Sequence, residues 1–357
     1  MSTRSVQIGT RSVGAGTPPY IIAELSANHL GQLDRALFLM EEAKAAGADA
    51  VKLQTYTADT ITIDHHGPGF DIKTGPWAGR SLYELYQEAH TPWDWHAALF
   101  DKGRELDIAV FSSPFDATAV DFLEQFDPPA YKIASFECID PMLIRYAAAK
   151  GKPLVISTGM ANFEEVTEAV EAATNGGANG VIVLHCVSGY PTPAEEANLR
   201  TIPHLADSFD WPVGLSDHTL GTAVPVSAIA MGASVIEKHM TSDRSEGGPD
   251  AVFSLEPNEF RLLVKDCQTA WAALGDVDYT QKASEEANAQ FRRSLYIVAD
   301  VAAGELLTEV NVRSIRPGFG LAPGYFERVI GHRASRGLRR GTPLDLSCVD
   351  WGDDPIK

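Results

Sequence analysis

Two short runs of this chain end in histidine in the same way. Val213-Gly-Leu-Ser-Asp-His218 and Val235-Ile-Glu-Lys-His239 both begin apolar and end polar. An imidazole nitrogen is a good ligand for a divalent ion. Two of them on neighbouring elements, with positions left for water and substrate, suit Mn²⁺, Mg²⁺, Co²⁺ or Fe²⁺ better than a closed structural zinc site, which takes four protein ligands. The plainer alternative is two unrelated histidines. The acids beside them, Asp217 and Glu237, weigh toward metal.

Other apolar runs also end in polar side chains. One ends in Glu24, Ser26, Asn28 and His29; another places Lys52 and Gln54 on one face. A third ends Phe111-Ser-Ser113-Pro-Phe115, a fourth gives Tyr131-Lys132-Ile-Ala-Ser135-Phe-Glu137, and later ones end at Ser157 and at Ser188 and Tyr190. Period-2 alternation puts Ser216 with His218 and Glu237 with His239. A lysine inside an apolar strand needs a partner, because a buried unpaired charge is costly. Lys52 and Lys132 therefore either pair with Glu24 or Glu137, or they line a cationic pocket in which serines and Gln54 act as donors to an anion. Two lysines among hydroxyls around a metal read as a site for a phosphate-bearing substrate. A Schiff-base role for Lys132 is the competing chemistry. A neighbouring metal would make it redundant, since an ion can polarise a carbonyl directly.

Eight short, β-branched apolar runs carry these residues: Tyr20–Leu25, Ala50–Tyr56, Ala109–Pro114, Ala130–Ser135, Pro153–Thr158, Val181–Val187, Pro212–His218 and Val235–Met240. Each has the length of a buried strand, and amphipathic stretches such as Leu33–Ala46 separate them. Asp34, Asn162 and Asn258 read as helix N-caps, Gly47 and Gly275 as helix stops. Eight strands alternating with helices predict a (β/α)8 TIM barrel, an α/β fold whose working residues sit at the C-terminal ends of the strands. A doubly wound sheet would place a glycine-rich phosphate loop after its first strand; here that strand runs into Glu24-Leu-Ser-Ala-Asn-His29. The long stretch 57–81, with His65-His66-Gly-Pro-Gly and Gly75-Pro-Trp-Ala-Gly, reads as a lid or substrate wall. Residues 1–275 form the barrel in this reading and 276–290 a linker. Residues 291–357 form a small domain of short strands, with turns at Ala303-Gly304, Pro317-Gly318, Pro323-Gly324 and Arg340-Gly341.

The chain has 357 residues and a formal charge of −19, which disfavours nucleic acid and anionic lipid as partners and requires any anionic substrate to find a locally basic pocket. Cys138, Cys186, Cys267 and Cys348 are far apart, as expected of free thiols in a reducing compartment. The N-terminal residues lack the apolar core of a signal peptide, and no run approaches the ~18 apolar residues of a membrane helix, so the expectation is a cytoplasmic protein.

The segments Ile21-Ile-Ala-Glu-Leu-Ser-Ala-Asn-His, Lys52-Leu-Gln-Thr-Tyr, Phe111-Ser-Ser-Pro-Phe, Ala130-Tyr-Lys-Ile-Ala-Ser-Phe-Glu, Ile156-Ser-Thr-Gly-Met, Leu215-Ser-Asp-His and Ile236-Glu-Lys-His resemble the sialic acid synthase family. Arg293-Ser-Leu-Tyr and Arg316-Pro-Gly-Phe-Gly resemble that family's C-terminal antifreeze-like (SAF) domain. Several of these forms are most similar to the branch that makes pseudaminic acid. The resemblance implies condensation of phosphoenolpyruvate with an amino-sugar aldehyde, a 2,4-diacetamido-2,4,6-trideoxy hexose of altro configuration. The alternative is N-acetylneuraminate or legionaminate formation from N-acetylmannosamine or its 2,4-diacetamido analogue. It further implies a metal on His218 and His239 (Mn²⁺ first, Mg²⁺ or Co²⁺ as alternatives). Lys52, Gln54, Lys132, Ser135, Ser157 and Ser216 would hold the phosphate and carboxylate. Ser113, Phe115, Ser188 and Tyr190 join the candidate substrate contacts. Glu24 and Glu137 are the acid–base candidates, with their roles interchangeable. A homodimer is implied as well, in which the small domain caps the partner's barrel and brings Arg316 to the sugar.

Overall fold

The computed structural model describes residues 4–75 and 77–352. The chain divides into two compact units, Met1–Gly275 and Asp276–Lys357.

The first unit opens with an antiparallel hairpin, β1 (Ser5–Ile8) and β2 (Arg11–Gly14). Eight parallel strands follow: β3 (Tyr20–Glu24), β4 (Ala50–Thr55), β5 (Ala109–Pro114), β6 (Tyr131–Ile133), β7 (Leu154–Ser157), β8 (Val181–Cys186), β9 (Val213–Asp217) and β10 (Val235–His239). They pair in sequence order, and β10 returns to β3 to close the barrel, with His239 opposite Glu24. The eight expected strands are all present; β5 keeps the expected bounds and the other seven are trimmed by a residue or two at one or both ends. Helices α1 (Leu33–Ala46), α2 (Ala58–Ile61), α3 (Leu82–Ala89), α4 (His96–Leu106), α5 (Ala117–Leu123), α6 (Pro141–Ala148), α7 (Phe163–Gly176), α8 (Thr201–Phe209), α9 (Ala223–Ala230) and α10 (Pro257–Leu274) connect them.

Alternation along the strands sorts the core into two shells. Ile21, Ala23, Val51, Leu53, Val110, Ile133, Val183, Leu215 and Ile236 face the helices. Tyr20, Ile22, Ala50, Phe111, Val155, Ile182, Leu184 and Val235 fill the barrel interior at the N-terminal ends of the strands, and Val6, Ile8 and Val13 of the hairpin pack against them. The hairpin, which the sequence reading did not identify, is thus an apolar plug at the N-terminal mouth. Its two four-residue strands are too short to stand out by periodicity.

The helix ends correct part of the expectation. Asn162 caps α7, its side chain accepting from the Glu165 amide at 3.0 Å within a reciprocal capping box, and Gly47 ends α1 at φ 94°. Asp34 is not a cap: Gln32 holds the cap position and Asp34 lies in the first turn, where a carboxylate favours the N-terminal dipole. Asn258 is not one either; Glu256 forms a capping box with Glu259, and Pro257 opens α10.

The second unit has its own apolar core, including Leu295, Ile297, Val301, Leu307, Val312, Val329, Leu344 and Trp351. Two antiparallel pairs frame it: β11 (Ser294–Ile297) with β12 (Val312–Ile315), and β13 (Arg333–Ala334) with β14 (Val349–Asp350). Gly320 lies against this core so closely that a Cβ would sit 2.4 Å from the Leu295 carbonyl oxygen, which accounts for glycine there. The stretch expected as a linker holds a 3-10 helix, Ala283–Phe291, with no buried residue.

Candidate active site

The C-terminal strand ends surround a cavity of about 300 Å³. At its floor Lys52 and Lys132, only 4% and 1% exposed, lie beside two buried carboxylates. Lys52 Nζ is 2.6 Å from Glu24 Oε2 and 3.0 Å from Glu237 Oε1. Lys132 Nζ donates to Ser157 Oγ at 2.7 Å and to the Ile133 carbonyl at 3.0 Å, with Glu237 Oε1 at 4.0 Å. Glu237 Oε1 also accepts from Ser216 Oγ at 3.1 Å. Glu24 Oε1 accepts from the Ser26 amide at 2.8 Å and from Gln54 Nε2 at 3.3 Å.

This network joins the two sequence alternatives for the lysines. They have partners, and they also line the cavity. The partners are Glu24 and Glu237; Glu137 makes no ion pair with either lysine. Burial works against the Lys52 charge, but Glu237 and Glu24 outweigh it and raise its pKa. For Lys132 burial outweighs the more distant Glu237, the Lys52 charge adds to the fall, and its pKa drops to about 8. Glu137 borders the cavity with Oε2 buried and without a hydrogen-bond partner; burial pushes its pKa up to about 7.

Above the lysines, the rings of His218 and His239 lie 5.3 Å apart, tilted by 58°. Their strands are adjacent, and Ser216 and Glu237 stand opposite each other in register. His218 Nδ1 is 3.0 Å from the Val187 carbonyl, an arrangement in which Nδ1 carries the proton and Nε2 is left as a base. His239 Nδ1 is buried without a hydrogen-bond partner, and burial holds its pKa well below the ordinary value. A neutral imidazole with an unsatisfied buried nitrogen beside a second one oriented from behind fits a divalent cation. Among the described residues, no group of three or more His, Cys, Asp or Glu side chains closes around an ion. A divalent cation held by this pair would take its remaining ligands from water or substrate.

The alternate residues of the same strands, Asp217 and Lys238, face outward and form a buried ion pair. Lys238 Nζ also donates to the Thr219 carbonyl, and Asp217 accepts from the Thr219 amide and hydroxyl. The two histidine-bearing strands are tied together behind their histidines.

Most of the sequence-derived candidates come together. Lys52, Gln54, Phe115, Lys132, Ser135, Glu137, Ser157, Tyr190, Ser216, His218 and His239 all line the cavity. Glu24 does not; it is fully buried behind Lys52. Ser113 is also buried, 3.5 Å from Lys52 Nζ. Ser188 lies beside Ser135 near Gly159, where a Cβ would come within 2.2 Å of Ser188 Oγ and 2.7 Å of Ser135 Oγ. Glycine is required there, and its amide donates to Ser135 Oγ at 3.2 Å. Arg316 follows β12 in the second unit and is exposed.

Sequence reasoning missed several participants. Glu237 shares a strand face with His239, and that alternation was the signal that could have placed it with the lysines. Asp250 lies in the loop after β10, buried at the cavity edge and hydrogen-bonded to Ser26 Oγ. No pattern marked it beyond Gly247-Gly-Pro as a turn after a strand's C-terminal end. Trp77 and Ile61 of the 57–81 stretch do border the cavity.

Residues 39–279 match the NeuB family and residues 292–350 the SAF domain. The chain belongs to the NeuB family. Pseudaminic acid synthase from Campylobacter jejuni is 45% identical over 92% of this chain and 96% of its own length. Pseudaminic acid synthase from Helicobacter pylori is 40% identical over 93% and 98%. The crystal structure of the spore coat polysaccharide biosynthesis protein spsE from Bacillus subtilis superposes with a TM-score of 0.67 at 33% identity, covering 98% of this chain and all of that one. The NeuB match spans most of the barrel, from within α1 onward, leaving out β3 with Glu24 and the Ser26 that follows it, and the SAF match spans the small strands of the second unit.

Proposed function

We propose that this protein condenses phosphoenolpyruvate with the open-chain aldehyde of 2,4-diacetamido-2,4,6-trideoxy-β-L-altropyranose, with water, to give pseudaminic acid and inorganic phosphate. The observation that carries this reading is that Lys52, Lys132 and the His218–His239 pair line one cavity. The similarity to two enzymes named pseudaminic acid synthase selects the sugar.

Lys52 and Lys132 bind the phosphate and carboxylate of phosphoenolpyruvate, with Ser135, Ser157, Ser216 and Gln54 as hydrogen-bonding partners. The lysines are pre-positioned by Glu24 and Glu237, so little side-chain ordering is left for the moment of binding. His218 and His239 would hold the divalent cation (Mn²⁺ in our reading), which when bound supplies Lewis-acid polarisation of the aldehyde. C3 of phosphoenolpyruvate forms the new bond to C1 of the sugar, and C2 becomes cationic. Water adds at C2 and Glu137 takes one of its protons. The C2–O bond to phosphorus's oxygen then breaks, phosphate leaves with that oxygen, and C2 becomes a carbonyl. The protons from the water return to the sugar alkoxide and the departing phosphate. Glu137 is assigned this step over Glu24 because Glu137 borders the cavity and Glu24 is committed to Lys52.

The homodimer is part of the same proposal: Arg316 would meet the sugar bound by the other subunit. Four buried, unbridged cysteines among the described residues fit the cytoplasm as its place. Among those residues no helix is long and apolar enough to cross a membrane.

The test is phosphate release from phosphoenolpyruvate with three sugars: the altro-configured 2,4-diacetamido sugar, the corresponding legionaminate precursor, and N-acetylmannosamine. The first should be turned over with the highest kcat/KM. Preference for either of the others would move the protein to the legionaminate or neuraminate branch.

A further inference from the structure

The lining of the cavity is chemically mixed. Its lysines and carboxylates are charged, but the segment between β4 and α4 contributes a wall of Ile61, Trp77, Leu85, Tyr86 and Ala89. Leu85 is buried on the inner face of α3. The polar atom of Trp77 is already used: Nε1 donates to the Pro249 carbonyl at 3.0 Å, which leaves only the ring, 5.5 Å from that of Tyr190. Tyr86 meets Tyr56 edge to face at 5.6 Å.

The aldehyde carbon must reach the histidines and the phosphoenolpyruvate above the lysines. The far end of an extended six-carbon chain then lies roughly 6 Å away, from the reach of a few covalent bonds, inside a cavity of about 300 Å³ that this wall also lines. A wall of aliphatic and aromatic carbon gains from a methyl group. Ile61, Leu85 and Ala89 give no side-chain hydrogen bond to a hydroxyl, which would have to shed water without compensation against them. We propose that the Ile61–Ala89 wall is the element by which the enzyme selects a 6-deoxy sugar over its 6-hydroxyl counterpart, with Leu85 and Ala89 in contact with the terminal methyl group. This rests on the condensation reading above.

The experiment is steady-state kcat/KM of the full chain, with metal and saturating phosphoenolpyruvate, for two sugars that differ only at C6: the 2,4-diacetamido-2,4,6-trideoxy sugar and its 6-hydroxyl form. The wild type should favour the 6-deoxy sugar by roughly 10- to 100-fold, the range an apolar pocket achieves against an added hydroxyl. Leu85→Asn and Ala89→Ser each offer the hydroxyl a partner and should narrow that ratio about fivefold or more, with the KM for phosphoenolpyruvate within about twofold of wild type. Ala89→Ser, a small change at a half-buried position, keeps the test open if Leu85→Asn fails to fold. Equal use of both sugars by the wild type, or an unchanged ratio in folded variants, would overturn the inference while leaving the condensation reading intact. Turnover of neither sugar by the wild type would instead remove the condensation reading and this inference with it.

Discussion

Glu137 borders the cavity with one carboxyl oxygen buried and without a hydrogen-bond partner. Its environment raises its pKa from 4.5 to about 7, chiefly by burial, with Lys132 and Lys52 pulling in the opposite direction and Asp140 adding to the rise. A raised carboxyl pKa means that the fold favours the protonated form. That contribution to stability is complete below pH 4.5 and is lost as pH rises through about 7. Glu137→Gln should therefore raise the Tm relative to wild type at pH 8 and leave it unchanged at pH 4. The same variant should lose the acidic limb of the kcat/KM profile near pH 7, because the carboxylate is the form that accepts the water's proton. A wild-type profile with no ionisation in that region would remove Glu137 from the mechanism. The sequence made this residue visible as a candidate because Ser135-Phe-Glu137 follows a strand. It left the choice between Glu24 and Glu137 open, because only the fold shows that Lys52 has claimed Glu24.

At the scale of elements, β9 and β10 matter most. Ser216 and His218 on one, Glu237 and His239 on the other, face the cavity, while Asp217 and Lys238 form the ion pair on the opposite face. Lys238 is fully buried. Removing one partner of a buried pair costs about 3–5 kcal/mol, because the remaining charge is stranded. Lys238→Met should lower the unfolding free energy by about that much in urea titration. A loss below ~1 kcal/mol would show that Asp217 is satisfied by Thr219 alone. The barrel strands were legible because parallel strands buried on both faces are continuous apolar runs with a common polar ending. The N-terminal hairpin was not, and neither were the Gln32 and Glu256 cap positions. Short strands carry too few alternations, and cap choice depends on backbone conformation at one residue, which composition does not specify. The floor lysines were placed correctly as cavity residues, but Glu237 was left out. Its alternation with His239 gives a face, and the pairing with Lys52 and Lys132 appears only once the barrel closes.

At the scale of the molecule, two units with separate cores carry the proposed labour unequally. The barrel unit holds the lysines, the histidines and Glu137, and the second unit holds Arg316. In the proposed homodimer, Arg316→Ala should raise the KM for the sugar more than it changes the Tm. Mixing Arg316→Ala with Glu137→Gln protein, each impaired alone, should recover activity when subunits exchange, since one of the two sites in a mixed dimer is then intact. No recovery despite exchange shown by native mass spectrometry would contradict the cross-subunit role. The whole-chain charge of −19 is consistent with a substrate anion drawn to a small basic floor and not to the surface at large.

The most direct test of the central claim follows the oxygen that bridges carbon and phosphorus in phosphoenolpyruvate. With that oxygen labelled as ¹⁸O, and with the altro-configured diacetamido sugar and a divalent metal, we predict a nine-carbon sugar acid free of label and inorganic phosphate carrying all of it. Label retained in the sugar acid, or phosphate released with no sugar acid formed, would contradict the account.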